Sequence, residues 1–162
     1  METTEKTVSR LGYQTEKSKE LVNRMNVLIA SYHVHYQKLR NFHWNVTGKD
    51  FFDLHEKFEE LYDFAKVNID DLAERARVFG ANPMARLSDY LHYSRIAEPE
   101  GIPAPERMVE EILSDFEIIL SQMINVLDQA NETGDVSTVD LVNKMVKSTE
   151  KYYWMFSAWS KN

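Results

Sequence analysis

The stretch His43–Glu74, HWNVTGKDFFDLHEKFEELYDFAKVNIDDLAE, joins the end of one amphipathic segment to most of another across a single glycine. Beyond Gly48, Leu54, Phe58, Leu61, Ala65, Ile69, Leu72, Ala76 and Phe79 recur at three- and four-residue intervals, the period of a helix that buries one face. Gly80 suits a left-handed cap and ends the segment. Upstream, Leu21, Met25, Leu28, Tyr32, Leu39, Phe42 and Val46 keep the same spacing. The stretch is therefore the turn and second arm of a helical hairpin.

Working outward, the window GANPMARLSDYLHYSRIAEPEGIPAP holds all four prolines, at 83, 99, 103 and 105. It is long for a loop, and LSDYLHYS is expected to form a short helix inside it. A third long helix starts near Pro105, where a first turn tolerates proline, and carries Val109, Ile112, Phe116, Ile119, Met123, Leu127 and Ala130 to Gly134. A fourth follows a cap at Ser137 and runs through Val139, Val142, Val146, Tyr153 and Phe156. Residues 1–14 are polar and aperiodic and read as a flexible arm, so residues 15–162 form one domain. Short, long and short connections between four amphipathic helices give an all-α bundle with one crossover, the ferritin-like topology.

Composition narrows the chemistry. An apolar share of 43% with 28% charge fits a globular domain, and no apolar run approaches the ~18 residues that span a bilayer. The N-terminus METTEKTVSR lacks the basic and apolar regions of a secretory signal, so a cytoplasmic protein is expected. With no cysteine, any transition metal must be held by His, Asp and Glu. A net charge of −7 attracts cations and opposes binding to phosphates.

On a helical wheel His55, Glu59, Asp70 and Glu74 share an arc about 130° from the core stripe, so they face away from the chain's own core. A solvated face is the alternative for any such helix. His55 and Asp70 stand about 22 Å apart along the axis, too far to share one ion. The set is, however, symmetric: His55 and Glu74, like Glu59 and Asp70, reflect through a point between Phe64 and Ala65. A two-fold axis there would bring the histidine end of one copy to the carboxylate end of another, making two sites about 22 Å apart. His43 and His55 lie equally far on either side of Lys49, so the tight turn brings both imidazoles to one level. Two imidazoles with several carboxylates suit iron, manganese or zinc, and open positions favour redox chemistry at iron. A di-iron centre inside the bundle would need Glu-x-x-His pairs from two helices, yet the third and fourth helices contain no histidine. His33 and His35 read as packed imidazoles and His92 as a crossover residue. Trp44 follows His43 directly and is an even choice between a place against the metal and plain packing.

The segments NFHWNVTGKDFFDLHEKFEELYD (41–63), IDDLAERARVFGANP (69–83) and KYYWMFSAW (151–159) resemble the signatures of the Dps family, the mini-ferritins. The likeness extends over nearly the whole chain after residue 15. It implies a dodecameric cage that oxidises Fe(II), usually with hydrogen peroxide, at two-fold interfaces and stores ferric mineral, which protects against oxidative stress. It also implies His43 and His55 as histidine ligands, with Asp70 and Glu74 reaching across from the partner subunit. Glu59 stands where the family commonly has an aspartate at a second iron position, so each site has two potential iron positions. Trp44 matches a tryptophan that takes up oxidising equivalents. Asp140, Asp135 and Glu132 fall where relatives line acidic pores, while Val136 replaces an acid found in some of them.

The alternative function is a DNA-compacting, nucleoid-associated protein with an incidental metal site. Relatives that condense DNA use a lysine-rich tail. Residues 1–24 here set Lys6, Arg10, Lys17, Lys19 and Arg24 against Glu2, Glu5, Glu16 and Glu20, a net of +1, and an anionic cage repels duplex DNA at physiological salt.

Overall fold

The computed structural model describes residues 11–161, so the first ten residues of the expected arm lie outside the described residues. The elements are α1 (Thr15–Asn45), α2 (Phe51–Val78), α3 (Leu87–Tyr93), α4 (Pro105–Thr133) and α5 (Val136–Trp159), with no strand among the described residues. α1 packs against both α2 and α4, and α4 packs against α5. α2 meets α5 through longer side chains, including the Phe58–Phe156 and Phe64–Tyr152 ring contacts.

The helix ends follow from local chemistry. Gly48, at φ +100°, turns the chain between α1 and α2. Gly134, at φ +75°, ends α4, where its N–H donates to the carbonyls of Ala130 and Asn131. Both angles lie in the left-handed region that side chains avoid. Pro105 sits in the first turn of α4 as expected. The start of α5 differs from the expectation: Asp135, not Ser137, is the N-cap, and its carboxylate accepts the Thr138 N–H.

The crossover is tied to α1 along its length. Met84 N–H donates to Asn26 Oδ1 at 2.8 Å, and Arg95 N–H donates to Ser31 Oγ at 3.0 Å. Between them, the Tyr90 ring stacks on His33 at 3.8 Å. The expected short helix is α3, which carries that tyrosine.

The core has two lobes. One contains Leu21–Val34 positions of α1 with Leu72, Met123 and Val142; the other contains Leu39, Phe42, Phe58, Ile112, Phe116 and Phe156. Buried polar groups separate them. The His35 imidazole bonds Asp115 Oδ2 through Nδ1 at 2.9 Å, and the Lys38 ammonium donates to Asp115 Oδ1 at 2.8 Å. Asn68 donates to Tyr32 Oη at 3.0 Å, and Thr149 Oγ1 donates to the Met145 carbonyl. Each of these side chains is buried with a partner, as the cost of unpaired polar burial requires.

Candidate metal centre

The α1–α2 turn places the last turn of one helix beside the first turn of the next. Carbonyls at a helix C-terminus lack intrahelical partners, and the His43 carbonyl is among them. His55 fills that vacancy: its Nδ1 lies 2.8 Å from His43 O. The reverse bond is also made, with His43 Nδ1 2.7 Å from His55 O. A carbonyl only accepts, so each Nδ1 must carry hydrogen. In the neutral rings this leaves the lone pair on both Nε2 atoms, the form in which histidine binds a metal. The rings stack with centroids 3.8 Å apart and planes 18° apart, which sets them side by side.

Glu59 lies one turn beyond His55 on the same face of α2. Ligand atoms of His43, His55 and Glu59 all fall within 4.8 Å of one another, the only such group among the described residues. His43 is buried, His55 is half-buried and Glu59 is exposed, so the cluster opens outward. Phe51 stacks on His55 at 5.0 Å, and Tyr62 presents its edge to His43 at 5.4 Å. Partial burial, with the carboxylates of Glu59 and Asp63 alongside, raises the Tyr62 phenol above its ordinary pKa and keeps it protonated. Sequence spacing gives Tyr62 no role; only its contact with His43 singles it out.

The other expected residues are placed differently. Asp70 and Glu74 are exposed on α2 and form no ion pair among the described residues. At 1.5 Å per residue they begin about 22 Å from His55, so one chain does not bring them to the histidines. Trp44 is 56% exposed, and the Arg40 guanidinium lies over its ring at 4.8 Å. Of the residues expected at a pore, Asp140 is exposed and paired with Lys144 at 2.7 Å, and Glu132 is exposed. Asp135 corrects its expectation: it is 0% exposed, caps α5 and receives Arg75 Nη2 at 2.7 Å, so it cannot present a free acid to a pore.

The fold and this centre define a class, and comparison with known proteins agrees with it. The ferritin-like domain family matches residues 22–162. General stress protein 20U of Bacillus subtilis is 40% identical over 88% of this chain and 98% of its own. DNA protection during starvation protein 2 of Bacillus anthracis is 38% identical over 87% of this chain and 97% of its own. The crystal structure of the Dps protein from Vibrio cholerae O1, described as a member of a broad superfamily of ferritin-like diiron-carboxylate proteins, superposes with a TM-score of 0.92 at 38% identity, covering 95% of this chain and 97% of that one. The chain belongs to the ferritin-like family and, within it, to the Dps proteins.

Proposed function

We propose that this chain is the subunit of a cytoplasmic dodecameric cage that oxidises Fe(II) with hydrogen peroxide at sites shared between two copies and stores the ferric product. The observation that carries the reading is the reciprocal bonding of His43 and His55, which fixes two free Nε2 atoms beside the Glu59 carboxylate. Iron is the substrate. One peroxide accepts an electron from each of two ferrous ions and two protons, and leaves as two waters. Fixed imidazoles with carboxylates favour ferrous binding without reorganising the hairpin.

Asp70 and Glu74 complete the site from a second copy. Their exposure, their lack of an ion pair among the described residues and their mirror spacing to Glu59 and His55 support this. Trp44, exposed beside the centre, takes up oxidising equivalents when the two ferrous ions are not both present. Asp140 and Glu132 guide iron toward the cage interior. The net charge of −7 disfavours duplex DNA as a partner.

Anaerobic Fe(II) followed by peroxide should give ferric absorbance rapidly in the wild type and, in His43→Ala/His55→Ala, on the order of 100-fold more slowly; equal rates would overturn the reading. The sharing of the site is tested separately. Cages assembled from mixed His55→Ala and Asp70→Ala subunits should recover part of the activity that each lacks alone, because one in four pairings joins two intact halves. A site contained in one chain gives no recovery.

A further inference from the structure

Among the described residues, Arg75 is the polar tie that joins the last turns of α2 to α5, alongside the Asn68–Tyr32 bond to α1 two residues before Asp70. Arg75 follows Glu74 directly and turns inward while Glu74 faces out. Its Nη2 donates to Asp135 Oδ1 at 2.7 Å and its Nε to Thr138 Oγ1 at 2.9 Å. The guanidinium also stands 4.9 Å over the Phe79 ring, at the end of its own helix. Asp135 and Thr138 are both fully buried, and Asp135 is the N-cap of α5. One planar fork thus holds two neighbouring residues of another helix. That geometry restrains both the roll of α2 about its axis and its slide along α5.

Elsewhere in this part of α2 the packing of Ile69, Leu72, Ala73, Ala76 and Phe79 on the core holds the helix to the bundle, and Arg75 adds a directional contact to that apolar packing. Leu72 and Ala76 are buried, but Ala73 and Ala76 are small, and the ring contacts between α2 and α5 occur further back at Phe58 and Phe64. A few degrees of roll displaces the tip of an outward glutamate by an appreciable fraction of an ångström, and a shared site tolerates little misplacement.

We propose that Arg75, clamped on Asp135 and Thr138, is a positioning residue that aims Asp70 and Glu74 at the histidines of a second copy. The inference rests on the shared-site reading above. It assigns Arg75 to the carboxylate half of the site, although the residue touches no iron.

Removing one partner alone leaves a buried charge and endangers the fold. The informative variant is therefore Arg75→Gln/Asp135→Asn, which is neutral, retains hydrogen-bonding groups and keeps a good N-cap residue. Sedimentation should show it assembled. Its Fe(II) concentration for half-maximal rate should rise roughly tenfold, with the rate at saturation changed less, and Arg75→Lys should fall between it and the wild type. At Fe(II) well below the half-maximal concentration, mixed cages should regain activity when the double variant is combined with His55→Ala subunits, which supply intact carboxylates, and not when it is combined with Asp70→Ala subunits. An unchanged Fe(II) dependence, recovery with neither partner or recovery with both would overturn the clamp. The control mixture of His55→Ala with Asp70→Ala separates the two ideas. Recovery there together with any of those overturning outcomes refutes the clamp alone, whereas no recovery there refutes the shared site and the clamp with it.

Discussion

α1 carries two histidine clusters eight residues apart, about 12 Å along its axis, and they are finished in opposite ways. His35 is 2% exposed and meets Asp115, which also receives Lys38, itself 5% exposed; the cluster satisfies itself within one chain. His43 and His55 direct Nδ1 to main-chain carbonyls and leave Nε2 open beside an exposed glutamate. Both clusters combine imidazole and carboxylate. What separates the two is whether the chain itself supplies a countercharge: Lys38 closes the inner cluster, and nothing among the described residues closes the outer one.

The contrast can be broken most severely from the inside. Lys38→Met should cost about 3–5 kcal/mol of stability by denaturant titration, since it leaves Asp115 short of a partner in the core. Peroxide-driven iron oxidation per assembled cage should stay near wild type. A loss below 1 kcal/mol would mean that the inner cluster does not hold the two core lobes together. At the outer cluster the pattern should reverse. Glu59→Gln should leave thermal stability within about 0.5 kcal/mol, as for an exposed position, and weaken Fe(II) binding at least tenfold by anaerobic titration.

The smallest effect concerns a third histidine. His33 is half-buried against Tyr90, and desolvation lowers its pKa in the folded chain. The folded state therefore binds a proton less readily than the unfolded one. The resulting stability is present above the unfolded value of about 6.5 and declines as pH falls through it toward the lower folded value. Melting temperature should accordingly fall less between pH 7 and 5 in His33→Gln than in the wild type, with identical slopes counting against a role for this contact.

The helices were legible because apolar spacing and glycine placement reported the same ends. Gly48, Gly80 and Gly134 each stand at a helix boundary with positive φ. The outer cluster of His55 and Glu59 was equally legible as a group, since the wheel separated both from the core stripe. The inner cluster was not, although a signal existed: His35 continues the series Leu28, Tyr32, Leu39 and Phe42, and Asp115 sits between Ile112 and Ile119 on the buried face of α4. Polar residues in phase with an apolar stripe announce a buried network, but which helix completes it depends on how the faces meet. The start of α5 failed for a related reason. Asp135, Ser137 and Thr138 all suit a cap, and Arg75, sixty residues earlier, accompanies the choice. The Nδ1 bonds of His43 and His55 depend likewise on the exact height at which two helix ends meet.

The polar layer between the two lobes also acts on helix register. If α4 slipped by one turn against α1, Asp115 would move about 5.4 Å, leaving Lys38 and His35 without it and entering apolar surroundings itself. Uniformly apolar stripes would accept such a slip at small cost, because leucine and isoleucine pack alike from one turn to the next. A single aspartate therefore works as a vernier mark, and the two histidine-bearing helix ends can come level because the bundle behind them has only one alignment to settle into.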